Sequence, residues 1–295
     1  MGFPMGLGLR FNIVLLSCYL VGLTLSLWPF YQLSRREAME QLQAQIDVLR
    51  AEALSVRKYT TDEIRPLLDD QSGIQFLPQT IPSFSAHTVF RNFRKYYPQY
   101  SYKEAALNPT NPANRAKDWE QELIEKLSAN RDIDKDITVR TTEDGQQYTV
   151  TYPMVIKDES CMTCHSTADK APPSMVALYG NKNGFGWKLN DTLIAQIISI
   201  PMSATETKVW RNLMLFIGIS SGIFLALLVL LNILLNRYVI SPVNRMAKIA
   251  EAYSMGDTSN PEFQYEGTDE VASLARSFNR MRRSLDYAMK ELEKT

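Results

Sequence analysis

Two stretches of 23 residues without a charge, Phe11–Leu33 and Leu213–Leu235, constrain this chain more than anything else in it. As helices, each reaches roughly 35 Å, enough to cross a hydrocarbon core of about 30 Å. Trp28 and Tyr31 stand at one end of the first run, and Trp210 and Tyr238 bracket the second, at interface depth. A buried core helix rarely runs so far without a polar face. A cleaved signal peptide competes for the first run. Arg10 supplies only a thin positive region and no good cleavage site follows, so an uncleaved anchor is expected. The chain then divides into an N-terminus (1–10), a first span (11–33), an outer segment (34–208), a second span (209–237), a helical unit (238–290) and a short tail (291–295). Arg237, Arg245 and Lys248 after the second span place both termini in the cytoplasm; Arg35 and Arg36 point weakly the other way.

The outer segment contains Cys161-Met-Thr-Cys-His165. C-x-x-C-H is the attachment pattern of c-type haem. Two thiols three positions apart meet the two vinyl groups on one porphyrin edge, and the adjacent imidazole reaches the iron as proximal ligand. A zinc site needs four ligands, and no second Cys pair exists; the third cysteine, Cys18, lies in the first apolar run. A thioredoxin-like pair expects a βαβ context, which the sequence lacks, and a plain Cys161–Cys164 disulfide leaves the histidine unexplained. The expected cofactor is one covalently bound haem c, held by Cys161 and Cys164 with His165 on the iron. Its attachment outside the cytoplasm agrees with the charge pattern. The sixth ligand stays open: His87 is the only other histidine, Met154, Met162, Met175 and Met202 offer thioethers, and a vacant position would admit a diatomic gas.

Around that motif the hydrophobic period changes. Met39, Leu42, Ile46, Leu49, Ala53 and Val56 form a heptad seam, predicting a helix over 34–60 continuous with the first span and pairing in a dimer or packing on its own domain. Residues 64–82, broken by Pro66, Gly73, Pro78 and Pro82, read as loop. Short helices are expected at 86–96 and around Trp119, Leu123 and Leu127, the second after the Asn108–Pro112 turn cluster. A hairpin is expected at 137–152 about Glu143-Asp-Gly145. Beyond it come a helix at 173–179 ended by Gly180, a tight approach or strand at 184–187 and a last strand at 194–202. Helices followed by an antiparallel sheet indicate an α+β domain. Tyr152, Phe185 and Trp187 are aromatic candidates for lining a haem, or for core packing.

Residues 59–202 resemble the PAS-like single-haem c-type domains of bacterial membrane sensors, best known in cyanobacteria. The likeness rests on Tyr102-Lys-Glu-Ala-Ala-Leu-Asn-Pro-Thr-Asn-Pro112, Cys161–Thr167, Tyr179-Gly180 and Gly184-Phe-Gly-Trp-Lys-Leu189. It implies a PAS-like fold, bound haem c, and redox or gas sensing.

The tail carries two further seams: Val239, Val243, Met246, Ala250, Tyr253, and then Val271, Leu274, Phe278, Met281, Leu285, Ala288, Leu292, joined through Gly256. Two heptad helices directly after a span resemble a HAMP domain, with Pro242, Gly256 and Glu270 at that family's marker positions. Neither helix buries its seam alone, so a parallel four-helix homodimer is expected, through this unit and the membrane-proximal helices.

The fold expected is therefore an α+β, PAS-like extracytoplasmic haem domain between two transmembrane helices, with a cytoplasmic helical HAMP bundle. The function expected is a sensor in a bacterial inner or thylakoid membrane, relaying a redox or gas signal to a separate cytoplasmic protein, or to chain beyond Thr295. A membrane-anchored cytochrome serving a redox partner is the alternative, and a HAMP-like tail is superfluous to it. No nucleophile–base set or Walker loop suggests an enzyme. Equal numbers of basic and acidic residues, 32 each, argue against a nucleic-acid partner.

Overall fold

The computed structural model describes residues 6–72, 74–257, 261–265 and 267–292. Gly73 of the expected loop, the first five residues of the expected N-terminus, residues 293–295 of the expected tail and the side chain of Leu292 lie outside what is described. The chain forms two compact units: Gln32–Arg211, and the flanking segments up to Tyr31 and from Asn212 onward.

The first helix, α1, runs unbroken over Leu7–Tyr59, as the merged apolar run and seam predict. A π-helical turn, Thr60–Ile64, then leads into α2 (Arg65–Ser72). Here the first half of the expected loop is helical, while 74–81 is turn and 3-10 structure. Pro66 falls in a helix continuous with α1, and the wide π turn before it absorbs the break that its missing N–H makes in the hydrogen-bond ladder. Helix α3 (Pro82–Phe93) also starts on a proline. There follow β1 (Ser101–Ala106), α4 (Asp118–Ala129), β2 (Asp136–Thr142) and β3 (Gly145–Val155), then α5 (Ser160–His165), α6 (Pro173–Tyr179) and β4 (Thr192–Pro201). The strands make one antiparallel sheet in the order β1-β4-β3-β2. The β2–β3 turn places Gly145, at φ +100°, opposite Thr142, so the two loop residues are Glu143 and Asp144 and the glycine takes the left-handed position after them.

Alternation along the strands sorts the core. Tyr148, Val150, Tyr152, Ile198 and Ile200 face the α1 seam, where Leu42, Ile46, Leu49 and Ala53 are buried, with Ala86 and Phe90 of α3 beside them. The odd-numbered Ala105, Ala195 and Ile197 face Ile124 and Leu127 of α4. The α1 seam thus packs on its own domain. The unit is an α+β domain built on an antiparallel sheet. Tyr152 belongs to the core under α1, with the Arg50 guanidinium 3.8 Å from its ring centre.

One charged network crosses the α1 face. Glu104, 3% exposed, accepts from Arg57 and from the Tyr102 hydroxyl, both at 2.5 Å, and Gln196 donates to Tyr102 at 3.1 Å. Burial pushes the Glu104 carboxyl up, but Arg57 and Tyr102 outweigh it and hold the group below its ordinary range. Burial likewise drives the Tyr102 hydroxyl far upward.

The second unit holds the remaining helices. Helix α7 (Ser203–Leu235) continues through a π-helical turn, Asn236–Ile240, into α8 (Ser241–Ser254); α9 is Glu270–Leu292. Pro242 has no N–H for the Tyr238 carbonyl, and the π turn falls there. The two apolar helical stretches are long and apolar enough to cross a membrane. They meet antiparallel: Asn12 and Asn232 exchange amide hydrogen bonds at 3.0 and 2.8 Å, Tyr19 bonds Ser221 at 2.7 Å, and Phe30 stacks on Phe216. Such polar pairs satisfy groups that hydrocarbon would leave unpaired. In the tail, Met246, Phe263 and Ala275 form a small core, and the Asn279 amide grips both the N–H and the carbonyl of Phe263. Leu274, Met281 and Leu285 of the expected seam remain about half exposed in the single chain, while Ala272, Ala275 and Arg282 pack within it.

The depressed Glu104 carboxyl carries a pH signature. Its stabilisation is complete above the unfolded-state carboxyl value of about 4.3 and fades as pH falls through the lower folded value. Glu104→Gln is expected to flatten the acid limb of a plot of Tm against pH, and to cost about 3–5 kcal/mol at neutral pH because Arg57 loses its partner. An acid limb unchanged by the substitution would assign the pH dependence to other groups.

Candidate functional site

Helix α5 is barely more than one turn long, and it carries the whole C-x-x-C-H motif. Asp158 starts it, accepting from the Ser160 N–H at 2.8 Å. One turn places Cys161 and Cys164 on the same side. Both thiols are free and half-buried, and burial raises both above the ordinary cysteine range. Each lines a cleft of about 1820 Å³, together with His165, Met175, Trp187 and Phe76.

His165 is held on three sides. Its Nδ1 lies 2.7 Å from the Gly184 carbonyl oxygen, which accepts a hydrogen bond there and so keeps the proton on Nδ1 in the neutral ring. The Trp187 indole stacks on the imidazole at 3.8 Å with planes 6° apart. The Trp187 N–H donates to the His165 carbonyl at 3.2 Å, and the Gly186 N–H to that of Ser166 at 2.9 Å. Desolvation lowers the imidazole below its usual range, favouring the neutral form, with the Gly184 carbonyl opposing. No described hydrogen bond engages Nε2.

The Gly184–Trp187 loop is in turn fixed by Asn108. Its Oδ1 accepts from the Gly184 N–H at 3.2 Å, its Nδ2 donates to the Phe185 carbonyl at 3.2 Å, and its own carbonyl accepts from Trp187 Nε1 at 3.3 Å. Three of the four segments that carry the sequence resemblance, those with Asn108, His165 and Gly184–Trp187, therefore converge on one imidazole. Sequence reading named Trp187 but missed Asn108; the signal available was Asn-Pro facing a Gly-x-Gly. Gly184 explains its own identity: φ is +85°, and a Cβ there would lie 2.9 Å from the Thr110 Cα.

The candidate sixth ligands are dispersed. His87, on α3, lines the same cleft, but both ring nitrogens are engaged: Nδ1 with the Ser83 carbonyl at 2.8 Å, and Nε2 accepting from the Glu104 N–H at 3.2 Å. Ligation by Nε2 would require the Glu104 amide to be released. Met154 and Met175 line the cleft, whereas Met202 is packed in the core under α1.

These residues fit the group the motif implies. A histidine that binds a metal through one ring nitrogen characteristically gives its other N–H to a backbone carbonyl, which is the His165–Gly184 arrangement. Two buried side-chain hydroxyls, Thr110 Oγ1 and Ser166 Oγ, lack a described partner and flank the same loop. Such orphans cost about 1–3 kcal/mol each and cluster at sites that take a ligand.

The architecture and site define a class: an α+β sheet domain inserted in sequence between two apolar helices, with a histidine-lined cleft, followed by a helical unit. Residues 35–201, more than half of the chain, match the family described as Tll0287-like, and the protein belongs to that family. Residues 234–286 match the HAMP domain. A solved chain titled as the crystal structure of the cyanobacterial haem protein Tll0287 is similar over 55% of this chain and 95% of that one, at 12% identity and a TM-score of 0.39. No curated protein matches the chain.

The loop geometry separates backbone strain from crowding. Gly186 shares a positive φ of +80°, but a Cβ there meets nothing within 4 Å. Both Gly184→Ala and Gly186→Ala are expected to cost about 1–3 kcal/mol in strain, and Gly184→Ala to lose distinctly more by displacing Thr110. Equal falls in Tm for the two variants would contradict the close approach.

Proposed function

We propose that this protein is a membrane-anchored haem c sensor. Cys161 and Cys164 hold one haem through thioether bonds, and His165 Nε2 is the proximal iron ligand, in a PAS-like domain (34–208) outside the cytoplasm. The observation that carries the reading is the imidazole itself: pinned at Nδ1, stacked by Trp187, open at Nε2, and one helical turn from two free thiols. Family membership supports it, since Tll0287 is described as a haem protein. When bound, the group supplies an iron able to change oxidation state or to take a diatomic ligand.

The chain's own residues do the rest. Gly184 and Trp187 fix the plane and tautomer of the imidazole, so a change at the ligand is felt by the 184–187 loop rather than lost in ring rotation. Asn108 passes the position of that loop to the end of β1. β4, paired with β1 along its length, leads through Met202 into α7. In our reading α7 delivers the shift through the π turn at Asn236–Ile240 to the HAMP helices, whose open Leu274, Met281 and Leu285 stripe is covered by a second copy in a homodimer. The shift available is bounded by the difference in cofactor binding between the two conformations. A separate cytoplasmic protein takes the output, and no catalysis is assigned to this chain. The setting is a bacterial inner or thylakoid membrane.

Single cysteines placed along 239–253, in an otherwise cysteine-unchanged chain, test the relay. Disulfide cross-linking between copies is expected to change its pattern when the protein is poised oxidised or reduced, or when carbon monoxide or nitric oxide alters the visible spectrum. A pattern indifferent to potential and gas, in protein with a normal Soret band, would contradict signalling.

A further inference from the structure

We infer that the surface formed by Arg91, Arg94, Lys95, Tyr96 and Tyr97 docks an acidic one-electron carrier protein. The inference rests on the cofactor reading above and adds to it the route by which electrons arrive or leave.

The charge distribution comes first. The chain as a whole is neutral, yet the 33 residues Gln71–Lys103 contain four basic residues and no acidic one. Lys103 is neutralised by Glu120 at 2.5 Å. Arg91, Arg94 and Lys95 are exposed at the end of α3 and form no ion pair among the described residues. Next to them, Tyr96 is 82% and Tyr97 50% exposed. Exposed tyrosine and arginine together are the composition of an interface centre, not of an ordinary solvated face. Arg91 and Arg94 stand at the mouth of the cleft, and the positive charge that they and Lys95 present to solvent selects an acidic partner and speeds its approach.

Tyr97 is also the outer end of a chain of rings. Tyr97 stacks on Phe93 with centroids 4.9 Å apart; Phe93 meets Phe90 at 5.5 Å; Phe90 stacks on Tyr102 at 4.4 Å; and Tyr102 meets His87 at 5.5 Å. His87 lines the cleft that also receives Cys161, Cys164 and His165. Contiguous π systems shorten the gaps an electron must cross, so this patch is joined to the cleft as well as charged. In the transfer the carrier's centre loses one electron and the iron held at His165 gains it, or the reverse; no bond forms or breaks and no proton moves. A lipid headgroup surface is the other anionic occupant. It is disfavoured because the patch is tethered through the Tyr100 hydroxyl to Gln45 of α1 at 3.4 Å, and Gln45 stands roughly 18 Å along the helix from the end of the apolar run at Leu33.

The test uses the full chain in detergent, with an acidic plant-type [2Fe–2S] ferredoxin as probe and a basic cytochrome c as control. The ferredoxin is expected to bind, the control not. Arg91→Glu, Arg94→Glu and Lys95→Glu combined should weaken ferredoxin binding about tenfold or more, chiefly by slowing association at low salt. Reduction of the Soret-absorbing protein by reduced ferredoxin should slow by the same factor, with reduction by dithionite unchanged. Tyr97→Ala should weaken binding without altering the salt dependence. Unaltered ferredoxin binding by the triple variant, or binding of the basic control equally well, would overturn the proposal. So would charge-dependent binding of the same residues to phosphatidylglycerol vesicles without ferredoxin binding. Ferredoxin binding without a Soret band would support docking while refuting the cofactor reading; a Soret band without ferredoxin binding would do the opposite.

Discussion

The fold depends on one packing event: the apolar seam of α1 laid along the inner face of a four-stranded antiparallel sheet. Neither surface is viable alone. A helix with Leu42, Ile46, Leu49 and Ala53 in water, or a sheet exposing Tyr148, Val150 and Ile198, would forfeit about 1.5–3 kcal/mol per large side chain. The helix that covers the sheet is continuous in sequence with the first apolar run. The Arg57–Glu104–Tyr102 network ties its far end down where apolar contact gives out.

The sheet in turn supplies the platform for a site that no single element could build. Helix α5 is too short to hold an imidazole still. The Gly184–Trp187 loop has no regular structure, and Asn108 lies just beyond the end of β1. The loop is held from two sides, by the His165 ring on its Gly184 carbonyl and by the Asn108 amide and carbonyl on Gly184, Phe185 and Trp187. This explains why glycine is needed where the loops approach most closely, and why a stacked indole, planar and stiff, backs the imidazole.

Elements with a strong period were legible in the sequence. The α1 seam, the 137–152 hairpin, the last strand and the Cys161–His165 turn each announce themselves through spacing or motif. Within 64–82 only 65–72 departs from loop: Pro66 is carried in a helix by the π turn that precedes it, and Pro82 opens α3 at a first-turn position where a helix accepts proline. The alternatives for the α1 seam, dimer or own domain, were not separable from spacing alone, since both bury the same residues. In the tail, Val271 and Phe278 of the expected α9 seam pack on the Met246–Phe263–Ala275 core, while Leu274, Met281 and Leu285 stay about half exposed beside the buried alanines. At the site, the C-x-x-C-H motif was readable and the support of its imidazole was not: Asn108 is sequence-distant from the Gly184–Trp187 loop it holds, and Tyr152, an apparent candidate for the cofactor wall, serves the core.

What unites these parts is a claim about covalent chemistry at one helical turn. Purified protein, made in cells that mature c-type cytochromes, can be denatured, digested and analysed by mass spectrometry with detection of visible absorption. The account predicts that the peptide spanning Cys161–His165 carries the haem mass on both sulfurs and retains the colour after acid–acetone extraction. An unmodified Cys161–His165 peptide from coloured protein, with the pigment extracted into solvent, would contradict it.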